Sequence, residues 1–128
     1  MSLEIQTQQS VSGQKSHALT IKLIGSLDTA TAPELERQLS IVFEQPVKDV
    51  VFDLAELSFI SSSGLRVFAN ARKTTRARGG QASFIHLQPQ IQEVFEIIKA
   101  LPGVAVFENV GELDKYLAAR QKAHESNA

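Results

Sequence analysis

Three consecutive serines, Ser61, Ser62 and Ser63, precede Gly64 where a strand-like run gives way to a helix-like run. Hydroxyls in such a place can do three kinds of work. One can cap a helix by accepting a bond from an orphan backbone N–H. The exposed amides of a helix start carry about +0.5 of an elementary charge and welcome an anion such as a bound phosphate. A serine can also accept a phosphoryl group itself. Capping is the commonest use, and Ser61, Ser62 and Ser63 are equal candidates for the cap. Gly64 has no side chain to obstruct an approaching group.

Other chemistries are poorly supplied. A nucleophile elbow needs Gly-x-Ser-x-Gly with an acid and a histidine following. No glycine stands two residues before Ser62, and neither His86 nor His124 falls in an evident triad. There is no glycine-rich Gly-Lys-Ser/Thr phosphate loop. Cysteine is absent, which excludes disulfides, thiolate metal sites and thiol catalysis. His17, His86 and His124 lack metal-ligand spacing, so no metal and no cofactor is expected, and His86 reads as structural. Asp28, Asp53 and Glu56 are carboxylates near strand ends, where ligand sites gather in α/β sheets. Each reads more readily as a turn former, a cap or a solvated charge. Arg66, Arg72, Lys73, Arg76 and Arg78 make the second helix basic. That is either a solvated face or a docking surface for an acidic partner, with the solvated face favoured by cations near a helix C-terminus.

The elements that must position these residues alternate along the chain. Residues 3–7 and 18–24 alternate apolar and polar, with a turn composition at 10–16, and predict a hairpin. Thr31 and Glu34 have capping-box spacing before a helix with Pro33 in its first turn. Leu35, Leu39, Val42 and Phe43 form its inner stripe, and Pro46 stops it. The near-continuous Val50, Val51, Phe52 and Leu54 predict a central strand covered on both faces. The second helix is expected over 63–78, with Leu65, Phe68 and Ala69 inward and Gly79 and Gly80 ending it at a positive φ. A strand over 81–87, a helix from 88 with Ile91, Val94, Phe95 and Ile98 inward, an edge strand at 104–107 and a helix over 110–119 complete the pattern. After an initial hairpin, strands alternate with helices. This predicts an α/β fold, a mixed four- to five-stranded sheet packed against about four helices.

The bulk numbers agree with one domain. The chain has 128 residues, is 43% hydrophobic and 21% charged, and has a formal net charge of -1. Nucleic-acid binding needs a basic surface and is not expected. No basic leader precedes an apolar stretch, and no apolar run nears the ~20 residues needed to span a bilayer. The expectation is a cytoplasmic protein without membrane insertion, with its domain at 1–120 and a fraying polar tail at 121–128.

Around the serines the chain resembles the STAS family, and within it the bacterial anti-sigma factor antagonists. That family's hallmark is a hydrophobic pair, an aspartate, a phosphorylatable serine, a serine or threonine, then glycine and leucine. Phe59 and Ile60 match the pair, Ser62 the phosphoacceptor, and Ser63, Gly64 and Leu65 the rest. Gly25-Ser-Leu-Asp resembles the family's Gly-Glu-Leu-Asp, and Gly79 and Gly80 match its post-helix glycines. The aspartate is Ser61 here, a hydroxyl that can cap a helix but carries no charge. The likeness runs roughly from Leu3 to Leu117.

The resemblance implies the STAS fold and a partner-switching protein that is not an enzyme. Unmodified, it would bind an ATP-dependent anti-sigma factor serine kinase and so free the sigma factor. Phosphorylation at Ser62 would dissolve the complex, and a PP2C-type phosphatase would reset it. Asp28, Ser61, Ser63, Gly64, Leu65 and Arg66 would face the partner. This scheme needs the Ser62 hydroxyl exposed at the helix start. Two alternatives stay open: a non-switching STAS scaffold or regulatory subunit, as in a lipid-transport or stress-sensing assembly, and a nucleotide-binding STAS module.

Overall fold

A computed structural model describes residues 2–9, 18–100 and 110–126. The turn expected at 10–16 and the edge strand expected at 104–107 lie outside the described residues, as does the side chain of Ile98. The hairpin forms. Strand β1 (Leu3–Gln9) pairs antiparallel with β2 (Ala18–Leu27), from Leu3 opposite Gly25 to Gln9 opposite Leu19. Strand β3 (Asp49–Ile60) lies parallel to β2, and β4 (Ala82–Ile85) parallel to β3. The described sheet is mixed, with strands in the order β1-β2-β3-β4.

Two crossovers decide where the helices go. Helix α1 (Ala32–Val42) links β2 to β3, and α2 (Ser62–Ala77) links β3 to β4. Both connect neighbouring parallel strands and step the same way across the sheet. Since such crossovers are right-handed, both helices fall on one face. The burial of β3 reflects this arrangement and corrects the expectation of two covered faces. Val50, Phe52 and Leu54 are fully buried, whereas Val51 and Asp53 between them are only half-buried. On the uncovered face Lys22 pairs with Glu56 at 2.8 Å.

Further along β3 the inward positions are Leu57 and Ile60, each three residues on from the last. The register explains the change of step. Lys22 opposes Asp53 but Ile24 opposes Glu56, and Gly25 opposes Leu57 but Ser26 opposes Phe59. Each slip puts an extra residue into β3, a β-bulge that bends the strand and re-aims its C-terminal end. That end leads directly into the run of serines.

The core is aliphatic beneath β2 and β3 and aromatic toward β4. There the rings of Phe52 and Phe84 stack at 5.2 Å, and Phe68 lies 4.9 Å from each. Helix α3 (Pro89–Ala100) buries Ile91 and Val94, as its spacing predicts, with Phe95 half-buried. Helix α4 (Val110–Ser126) buries Leu117.

Three local expectations are corrected. The capping box does not form. The Thr31 hydroxyl instead accepts the Asp28 N–H at 2.8 Å and donates to the Ser26 carbonyl at 2.8 Å, while Glu34 turns to Arg37 at 2.7 Å. Helix α1 ends at Val42, ahead of Pro46. Arg78 closes it, donating to the carbonyls of Phe43, Gln45 and Val47 and stacking over the Phe43 ring, so Arg78 is not part of a free basic face. In α2 the inward stripe is Gly64, Val67, Phe68, Ala71 and Thr75, while Ala69 is exposed. The stripe's phase is set by Gly64, which is buried. A Cβ there would lie 2.6 Å from Leu27 Cγ and 3.0 Å from Ile60 Cγ1.

Gly64 therefore seats the helix on the sheet. Gly64→Ala would overpack that seat, and the expected loss is about 1–3 kcal/mol of unfolding free energy in urea melts. An unchanged midpoint would show that α2 can shift outward freely.

Candidate functional site at the strand–helix junction

The serines stand at the C-terminal ends of the parallel strands β2 and β3, beside the start of α2. Ser61 is the N-cap residue with extended backbone (φ -104°, ψ 176°), and its hydroxyl makes no capping bond. Its backbone does the positioning. The Ser61 N–H donates to the Leu27 carbonyl at 2.9 Å, and its own carbonyl accepts the Leu65 N–H at 3.0 Å. The helix start is thereby tied to the end of β2. Ser63 faces the β2–α1 loop, its hydroxyl 3.4 Å from that of Thr29.

Helix α4 closes the site from the other side. The Ser62 N–H, first in α2, donates to Asp114 Oδ1 at 2.8 Å. The Gln121 amide completes the end of β3. It accepts the Ile60 N–H at 2.8 Å and donates to the Ile60 carbonyl at 2.8 Å, with Leu117 O at 3.1 Å. A side-chain amide has one acceptor and two donors, so this arrangement uses all three. The contact corrects the expected polar tail. Residue 121 begins no tail: Gln121 is 3% exposed, and the helix runs on to Ser126. A buried strand end needs its last N–H and C=O paired, and here a glutamine from another element pairs them.

Ser62 is half-buried at the helix start rather than exposed as expected. Its hydroxyl oxygen is covered, and neither it nor the Ser61 hydroxyl has a hydrogen-bond partner among the described residues. Of the residues expected to face a partner, Gly64 is buried against Leu27 and Ile60, and Ser61 is 5% exposed. Asp28 is a turn former. Its Oδ1 accepts the N–H groups of Ala30 and Thr31, each at 3.0 Å. Ser63 and Leu65 are half-buried, and Arg66 is exposed.

Asp53 and Glu56 lie within β3 rather than at its end, away from the serines. Asp53 meets His86 Nδ1 at 3.1 Å. Burial pushes the Asp53 carboxyl up, but the Ala55 N–H, His86 and Lys22 together outweigh it and hold the group below its ordinary value of 3.8. No group of residues suited to hold a metal ion occurs among the described residues. Nor is any described helix long and apolar enough to cross a membrane.

Sequence reasoning missed Asp114 and Gln121. Their signal was present: Asp114, Leu117 and Gln121 recur at i, i+3 and i+7, one helix face with polar residues flanking a leucine. Gln121→Ala leaves both backbone groups of Ile60 buried without partners. The expected loss is about 1–3 kcal/mol in chemical denaturation. A variant as stable as the parent would show that water replaces the amide. Because the Asp53 carboxyl is depressed in the fold, its contribution is present above pH 3.8 and is lost as pH falls through its lower folded value. Urea melts between pH 7 and pH 3 are expected to show Asp53→Asn less stable near neutrality and less acid-sensitive than the parent. Parallel pH profiles would contradict this.

A family profile described as STAS domain matches residues 3–113. Over 75 residues the chain is 39% identical to BtrV of Bordetella bronchiseptica, a protein named as a candidate anti-sigma factor antagonist; the match spans 59% of this chain and 65% of BtrV. It is 29% identical over 77 residues to an anti-sigma-B factor antagonist of Staphylococcus aureus, covering 60% of this chain and 71% of that one. In fold it is similar to the anti-sigma factor antagonist SpoIIAA in its unphosphorylated form, with a TM-score of 0.61 and 21% identity over 73% of this chain and 83% of that one. The profile covers both strand–helix crossovers and the serine junction between them, so the chain belongs to the STAS domain family.

Proposed function

We propose that this protein is an anti-sigma factor antagonist that works by partner switching, with Ser62 as its phosphoacceptor. One observation carries the reading. In a STAS chain whose relatives include named anti-sigma factor antagonists, Ser62 is the first residue of the helix after the central strand β3. The partner would be an anti-sigma factor with serine kinase activity, and a PP2C-type phosphatase would reverse the modification. In the forward step the Ser62 oxygen attacks the γ-phosphorus of ATP. The new O–P bond forms as the bond to ADP breaks, and the hydroxyl proton passes to a base on the kinase or to water.

The physical effect of that step is large. It adds roughly -1.5 to -2 charges at one side chain. In the free protein the amides of a helix start tolerate an anion. Inside a protein interface the same charge loses its water, and an unpaired buried charge costs several kcal/mol. A penalty of about 4 kcal/mol weakens binding on the order of 10³-fold. Arg66, Leu65 and Ser63 are the neighbouring residues with surface to offer a partner.

One feature favours the second reading, a STAS scaffold that does not switch. The Ser62 oxygen is covered, and a neutral Ser61 stands where the family has an aspartate. Intact-mass measurement and pull-down with the anti-sigma kinase and ATP separate the two. The switch predicts one phosphate on the parent chain and none on Ser62→Ala, which still binds. It also predicts kinase affinity reduced on the order of 10³-fold in Ser62→Asp, the fold-change for about 4 kcal/mol. A parent that stays unmodified while binding its partner would favour the scaffold.

A further inference from the structure

We propose that α4 is a latched cover over the start of α2, and that the closed cover and a phosphate on Ser62 exclude one another. The coupling rests on the reading of Ser62 as a phosphoacceptor; the cover itself does not.

The cover has two polar catches and, among its described side chains, one buried apolar residue, Leu117. Asp114 holds the Ser62 N–H, and Gln121 holds both backbone groups of Ile60. Between residues 114 and 123, the part of α4 whose side chains are described, Leu117 and Gln121 are the buried residues. Arg120 adds an ion pair to Glu93 on α3 at the surface. Elements with few buried apolar contacts open locally at lower cost than the core. The closed state also leaves the Ser61 and Ser62 hydroxyls buried without partners among the described residues. Buried hydroxyls nearly always have partners, so closure is not built to satisfy these two. Lifting α4 would return both to water.

Closure blocks phosphoryl transfer in two ways. A kinase cannot bring ATP to an oxygen with no accessible surface. A phosphate, once attached, would sit at the same helix start as the Asp114 carboxylate, which already holds the Ser62 N–H. Two anions would then share one helix start and repel each other. The carboxylate that the family places next to the phosphoacceptor is absent from position 61, and in this chain a carboxylate reaches the same helix start from α4. It can therefore be removed by moving a helix.

The absence of cysteine allows a direct test. Ser62→Cys in the full chain places a lone thiol under the cover, and its rate of reaction with a disulfide reagent such as DTNB reports access. The parent background should react slowly, with a urea dependence much shallower than that of global unfolding. Adding Gln121→Ala, which opens a catch without altering local charge, should raise the rate on the order of tenfold, as expected for losing a buried hydrogen-bonded contact. Asp114→Asn, nearly isosteric, should act in the same direction. Reaction that is already fast without either change, or that tracks global unfolding throughout, would overturn the cover. For the coupling, phosphoserine is installed at position 62 in the full chain and α4 is monitored by hydrogen exchange. Exchange in α4 accelerated on the order of tenfold supports exclusion, as for the loss of one catch, and unchanged protection rejects it. Neither measurement uses a kinase, so both stand apart from the failure of phosphate incorporation that would remove the phosphoacceptor reading.

Discussion

The site depends on the seating of one helix start on the ends of two parallel strands. At that seat the Ser61 N–H bonds the Leu27 carbonyl, and Gly64 presses on the side chains of Leu27 and Ile60. A helix start carries amides that its own helix cannot pair, and a strand end carries one unpaired set as well. Bringing the two together solves part of each problem. Further pairing comes from α4, by Asp114 for the first N–H of the helix and Gln121 for the strand. Polar pairing from Asp114 and Gln121 therefore joins the burial of Leu117 in holding the C-terminal helix at this place.

The two bulges in β3 make the seat reachable. Without them, regular alternation from Leu54 would turn Glu56 and Ser58 inward, and the strand would carry polar side chains into the core. The inserted residues turn Leu57 inward in their place and leave Ile60 inward. The uncovered face keeps the polar residues, including Lys22 with Glu56 and Asp53 with His86. Both halves of β3 contribute to the core, and the second also leads into the serine junction.

Arg78 shows the same economy at the opposite end of α2. Its position in sequence suggests a basic face, but the carbonyls at the end of α1 occupy it. A guanidinium supplies several donors in a fixed plane and suits a cluster of carbonyl oxygens. Arg66, Arg72, Lys73 and Arg76 remain exposed on α2, so the helix keeps a basic surface.

Much of this is legible in the residues themselves. The hairpin, the alternation of strands and helices, the junction of the serines with a helix start, and the positive φ of 81° at Gly79 all arise from local pattern and turn chemistry. What the chain's order could not disclose is non-local. Whether β3 is covered on one face or two depends on the hand of two crossovers. Whether Gly64 opens space for a ligand or fills a seat depends on Leu27, far away in sequence. Whether the Ser62 N–H finds a partner, and whether residue 121 starts a tail, depends on a helix from the far end of the chain. Spacing along a chain reports which groups share one face of one element; only packing decides which element lies against that face, because burial is a property of both surfaces.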